Sequence, residues 1–119
     1  MENKSYQYFD ATVMDTLHMI MGNEMVELFT VYAKDSKIRL QDLESLVYSY
    51  APAQDIRMAA HSLKGSSANV GAKPMAELCF QLETLAQEES LDKASVLLTD
   101  IKNLYSLMQV ELNDIITRH

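Results

Sequence analysis

Apolar residues recur along this chain at alternating intervals of three and four, the spacing of one face of an α-helix. The longest series is Ala94, Leu97, Leu98, Ile101, Leu104, Tyr105, Met108, Leu112 and Ile115, which predicts a helix over 92–117. Met75, Leu78, Cys79, Leu82 and Leu85 predict another over 74–88, with Pro74 in its first turn. Between these two, Glu88-Glu89-Ser90 reads as a polar turn, with Ser90 or Asp92 available as a cap. Ile56, Ala59, Ala60, Leu63, Ser67 and Val70 mark a helix over 53–70, entered at Pro52 and ended near Gly71. Met25, Leu28, Phe29, Tyr32, Leu40, Leu43, Leu46 and Val47 mark a long one over 24–50, whose polar stretch from Lys34 to Arg39 is expected to reach past the core. A front helix over 10–21 starts at Asp10, a good N-cap, and turns Val13, Met14, Leu17, Ile20 and Met21 inward. Gly22 is placed to end it as a left-handed residue, and Asn23 to cap the next helix.

No stretch shows sustained period-two alternation between turn residues, so no strand is predicted. The short connections make successive helices antiparallel. The reading is an all-α protein: an antiparallel up-down-up-down four-helix bundle with a short extra N-terminal helix. A chain of 119 residues, 48% of them hydrophobic, with 3 Gly, 2 Pro and no linker-like tract, suits a single domain over 1–119.

Charge and cysteine content narrow the possible roles. A formal net charge of −7 argues against a nucleic-acid or anionic-membrane partner, since both call for a basic surface. No apolar run approaches membrane-spanning length, and Glu2-Asn3-Lys4 after Met1 does not resemble a secretory signal. Cys79 is the only cysteine and has no internal partner, so a reducing, cytoplasmic setting is expected, with the protein a monomer.

One segment is poor helix economy. On the helix over 53–70, His61 falls off the apolar stripe, and Arg57, Lys64, Gly65 and Ala68 share its side at i−4, i+3, i+4 and i+7. A neutral imidazole nitrogen is a nucleophile at physiological pH. Lys64, with Arg57 adding to it, can offset the negative charge of a phosphoryl group. Gly65 costs about 1 kcal/mol against Ala inside a helix and leaves room one turn from the imidazole. Taken singly these residues have plainer explanations: a surface His, a solvated Lys, a Gly that permits close helix packing. Ser66 and Ser67 read as small packing residues whose hydroxyls bond back to backbone carbonyls. They lack the partners of a nucleophilic serine.

Jointly, Ala60-His61-Ser62-Leu63-Lys64-Gly65-Ser66-Ser67 followed by Gly71-Ala72 resembles the motif of the histidine-containing phosphotransfer (HPt) domains of multistep two-component phosphorelays. Glu77-Leu78-Cys79 and Leu82-Glu83 continue the likeness, and the span from about Phe9 onward fits that family's bundle. The resemblance implies that His61 accepts the phosphoryl group through Nε2, that Lys64 stabilises it, and that Gly65 gives access to a receiver domain. It also implies a polar residue on the next helix that holds the imidazole. Alignment puts Glu83 there, where several relatives have Gln, with Gln81 as a second candidate. The implied function is a shuttle of phosphoryl groups between aspartates of receiver domains, those of a hybrid sensor kinase and a response regulator. Such a protein has no cofactor of its own, because the receiver brings Mg²⁺. It is not an autonomous kinase, and no P-loop or Gly-rich nucleotide motif is present.

Two rival functions belong to other classes. A helical bundle that binds or sequesters a signalling protein without phosphorylation would not need His61, Lys64 and Gly65 together. A small phosphatase with a His nucleophile would need its own acid or metal cluster. His18, among Leu17, Met19 and Ile20, is expected to be structural or at the edge of a docking surface, and the C-terminal His119 to be mobile. The eight Met residues fall mostly on helical stripes and read as core filler, with a few near the front helix offering an adaptable surface.

Overall fold

The three-and-four spacing closes into helices whose apolar stripes meet along one axis. The computed structural model describes residues 5–118, so His119 and the residues ahead of Ser5 lie outside the described part. The helices are α1 (Ala11–Met21), α2 (Glu24–Tyr48), α3 (Ala53–Asn69), α4 (Lys73–Gln87) and α5 (Ala94–Arg118). The last four form an antiparallel up-down-up-down bundle, and the molecule measures 48 × 22 × 21 Å. Phe29, Leu43, Ile56, Leu63, Met75, Leu82, Leu98, Ile101, Met108 and Leu112 are fully buried along its axis. Cys79 is buried with them, and burial pushes its thiol up to about 12, so it stays protonated.

Local chemistry explains where the helices begin and end. The Asp10 side chain accepts the Val13 N–H at 2.9 Å and caps α1, as its sequence position suggests. Gly22 ends α1 at φ +57°, its N–H donating to the His18 carbonyl at 2.8 Å. Asn23 precedes α2 without a side-chain cap bond. α2 stops at Tyr48 because the chain turns left-handed at Tyr50 (φ +55°), where the Ala51 N–H reaches back to the Leu46 carbonyl at 3.0 Å, just before Pro52. A single 3-10 turn over Leu91–Lys93 leads into α5, and Ser90 makes no side-chain cap bond there.

Three packing expectations need correction. Ile20 and Met19 of α1 are 75% and 83% exposed, and only Met14 of that helix is buried, so α1 lies on the bundle by a narrow edge. The polar stretch from Lys34 to Arg39 does not reach past the core. Ser36 is fully buried there, its hydroxyl 3.0 Å from the hydroxyl of Tyr105 on α5. Ser67 does not bond back to its own helix. It shares a 2.9 Å hydrogen bond with the Tyr32 hydroxyl across the core, whereas Ser66 does return to the Leu63 carbonyl at 3.2 Å. Residues ahead of α1 also belong to the fold: Phe9 is buried against Phe29 and Tyr32, with ring centroids 5.7 and 6.5 Å away. In addition, the backbone N–H groups of Gln7 and Tyr8 each donate to the Glu111 carboxylate of α5 at 2.9 Å.

Gly71 joins this strap to the turn between α3 and α4. Its φ is +77°, and a Cβ there would lie 3.0 Å from the Val13 Cβ. Its carbonyl accepts the Asp10 N–H at 2.9 Å, and the Asp10 carboxylate pairs with Lys73 at 3.1 Å. Close approach and positive φ thus both demand glycine. Gly71→Ala is expected to destabilise the protein by about 1–3 kcal/mol, through a strained φ and a crowded Val13. A urea unfolding midpoint unchanged from the parent would show that neither constraint operates.

Candidate functional site

α3 buries Ile56, Ala60, Leu63 and Ser67 and turns His61 outward, leaving its side chain 64% exposed. The small Ala60 beside it lets α4 approach closely. On α4 the buried positions are Met75, Cys79, Leu82 and Ala86. Glu83 follows Leu82 at the edge of that stripe, which sets its carboxylate in the seam between α3 and α4, only 12% exposed.

Glu83 spends both carboxylate oxygens on α3. Oε2 lies 2.8 Å from Nδ1 of His61, and Oε1 accepts from Nζ of Lys64 at 2.6 Å. An ionised carboxylate only accepts, so Nδ1 carries the proton of that bond. In the neutral ring this leaves the lone pair on Nε2. Burial pushes the pKa of Glu83 up, but the hydrogen bonds from Lys64 and His61 more than offset it and hold the group below its ordinary value. Glu83 therefore stays ionised at neutral pH and fixes the tautomer and orientation of the imidazole.

The remaining residues surround this bridge. The Lys64 ammonium also sits 5.2 Å from the ring centroid of Phe80, a half-exposed aromatic of α4. At Gly65 a Cβ would meet no atom within 4 Å, and its φ is not positive. Neither helix packing nor backbone conformation thus calls for glycine there, which removes the close-packing explanation. Gly65 opens instead on a shallow hollow of about 370 Å³ shared with Lys64, Ala68, Lys73, Glu77 and Phe80.

Two of the supporting residues do not join the bridge. Arg57 donates from Nε to Gln54 at 3.2 Å on its own helix and has no hydrogen bond to His61 or Glu83. Gln81 bonds Glu77 at 3.5 Å and lies in the groove between α4 and α5 beside Leu85 and Val96. Residues 81 and 83 stand about 200° apart around a helix, so only one of them can face α3. The orienting contact falls to Glu83. Phe80 had no place in the sequence reading of the site. Its signal there was an aromatic lying off the apolar stripe of its helix.

Among the described residues, no group of three or more His, Cys, Asp or Glu side chains is placed to hold a metal ion. No described helix is long and apolar enough to cross a membrane.

The family model of the Hpt domain matches residues 27–114, which contain the whole bridge. The chain belongs to the Hpt domain family. It is accordingly a phosphotransfer protein of phosphorelays, a family that works with receiver domains and carries the phosphoryl group on a histidine. Among solved structures it is similar to histidine-containing phosphotransfer protein B from Pseudomonas aeruginosa, with a TM-score of 0.90 and 29% identity over 97% of this chain and 99% of that one. A putative histidine-containing phosphotransfer protein from rice shares the fold at a TM-score of 0.82 and 21% identity, over 93% of this chain and 81% of that one. The maize histidine-containing phosphotransfer protein ZmHP2 shares it at 0.81 and 22%, over 92% and 83%. No curated protein sequence matches the chain significantly.

The depressed pKa of Glu83 fixes a sign. Its hydrogen-bonded carboxylate contributes stability that is fully present above its ordinary value of 4.5 and is lost as pH falls through the lower folded value. The stability difference between the parent and Glu83→Gln should therefore favour the parent at pH 7 and shrink toward acid pH. Urea titrations of both proteins from pH 7 to pH 3 would measure it, and a difference independent of pH would contradict the bridge.

Proposed function

We propose that His61 is the phosphoacceptor of this Hpt protein, and that Nε2 is the atom that carries the phosphoryl group. The observation that supports this most directly is the Glu83 bridge. Nδ1 is committed to a carboxylate, so the nucleophilic lone pair of the neutral ring resides on Nε2. The reaction then follows in balanced steps. The Nε2 lone pair attacks the phosphorus of a receiver's aspartyl phosphate. The P–N bond forms as the P–O bond to aspartate breaks, and the aspartate leaves as a carboxylate. With Nδ1 still protonated, the phosphorylated ring is positively charged, and the Glu83 carboxylate 2.8 Å from Nδ1 offsets that charge. In the onward step a second receiver's aspartate attacks the phosphorus, the P–N bond breaks, and its electron pair returns to Nε2.

Lys64 stabilises the equatorial oxygens of the transferring group. The open space at Gly65 admits the edge of the receiver, which supplies the acidic pocket and Mg²⁺. Arg57, one turn before His61, adds positive charge to the approach. In this reading the protein has no kinase activity or cofactor of its own and works as a cytoplasmic monomer. Its docking surface is the exposed side of α3 around His61 with parts of α1 and α2, where Met19, Ile20 and Met58 supply exposed apolar area. The partners are receiver domains of a hybrid histidine kinase and a response regulator.

Labelling from a phosphorylated receiver domain tests the assignment. The parent should take up acid-labile phosphate and His61→Gln none; normal uptake by His61→Gln would remove His61 from the role. If the parent itself takes up no label from a panel of receivers, the protein is an interaction module that binds without phosphotransfer. Lys64→Ala should slow transfer on the order of tenfold while the helical circular dichroism signal is kept. Equal rates would strip Lys64 of its part. Gly65→Gln should fold normally, since a Cβ there meets no atom within 4 Å, yet it should weaken receiver binding. Unchanged affinity and rate would count against the access argument.

A further inference from the structure

We propose that Phe80 is a positioning residue for Lys64, holding the ammonium beside the phosphorylation site without neutralising it. The inference rests on the roles given to His61 and Lys64 above. Two groups hold the Lys64 ammonium: Glu83 at 2.6 Å and the Phe80 ring at 5.2 Å from its centroid. They act differently. Glu83 quenches the charge and fixes the ammonium on the carboxylate oxygen that His61 does not use. To stabilise a phosphoryl group on Nε2, the ammonium must loosen this bond and turn toward new anionic oxygens. A lysine side chain released from its only anchor would explore many rotamers. An aromatic face attracts the cation through its quadrupole and takes neither its proton nor its charge. Phe80 can therefore restrain the ammonium while it moves from Glu83 to the phosphoryl oxygens.

The surroundings of Phe80 fit this role. It lies off the buried stripe of Met75, Cys79, Leu82 and Ala86 and is 50% exposed, so the core does not depend on it. It also lines the hollow next to Gly65. A cation over an aromatic ring is not in itself unusual. Lys102 lies 5.8 Å from Tyr48 between α5 and α2, and its carboxylate partner there is Glu44. At Lys64 the same ammonium also contacts the carboxylate that orients His61, which ties Phe80 to the reacting group through one side chain.

The test combines a contact readout with a rate readout. In the parent, the Lys64 ε-methylene protons should show an upfield ring-current shift, lost in Phe80→Leu and kept in Phe80→Trp. Single-turnover transfer from a saturating phosphorylated receiver should slow roughly two- to fivefold in Phe80→Leu. Phe80→Tyr and Phe80→Trp should restore the rate. In a Lys64→Ala background, Phe80→Leu should have no further effect. Parental rates in Phe80→Leu, or the same slowing whether or not Lys64 is present, would overturn the proposal; the second result would make Phe80 a receiver contact. Label uptake by His61→Gln would instead overturn the site assignment on which the proposal rests, so the two failures are distinguishable.

Discussion

The site depends on one carboxylate with two oxygens and two claims on them. Glu83 meets Nδ1 of His61 with one and the ammonium of Lys64 with the other, at 2.8 and 2.6 Å. Both distances hold only if α3 and α4 keep one separation and one register. Both helices turn fully buried residues to the core, Ala60 and Leu63 on α3 and Met75, Cys79 and Leu82 on α4, and this packing holds them in place. The buried Tyr32–Ser67 hydrogen bond at 2.9 Å ties α3 to α2. The core thus delivers an ionised carboxylate to the rim of the bundle, where partial burial would otherwise oppose its charge.

The same arrangement separates the tasks of the imidazole ring. Nδ1 faces the protein, with a fixed proton and a fixed partner. Nε2 keeps the lone pair of the neutral ring. A histidine free in solvent would divide its proton between both nitrogens and its ring among several rotamers. The fold removes that freedom before any partner arrives, which is pre-organisation in its ordinary physical sense. In the proposed transfer, exposure of the ring is as necessary as its restraint, because the phosphorus arrives on another protein.

Much of the fold was legible in the amino-acid pattern. The stripe from Ala94 to Ile115 could be satisfied only by a long helix against a bundle, and Gly22, Pro52, Gly71 and Pro74 mark helix ends or entries as their backbone chemistry suggests. Legibility failed where burial depends on what lies opposite. Ser36 looked like part of a solvated stretch because its partner, Tyr105, is 69 residues away. Ile20 looked like core because helical periodicity gives a direction and not a neighbour. The end of α2 came two residues early because the backbone at Tyr50 turned left-handed, a conformation that tyrosine does not signal.

The site divides along the same line. His61, Lys64 and Gly65 could be grouped from sequence because they share one helix, where spacing alone decides which residues lie on one side. By itself the sequence therefore determined the all-helical class, the helix order and the open face that carries the imidazole. Only the tertiary structure decided between Glu83 and Gln81, left Arg57 bonded to Gln54 and brought Phe80 over the ammonium of Lys64. The contacts that Glu83 and Phe80 make with His61 and Lys64 run between helices, 16 to 22 positions apart in the chain, and their geometry is set by how α3 and α4 pack. Periodicity within one helix carries no information about the rotation of the helix beside it.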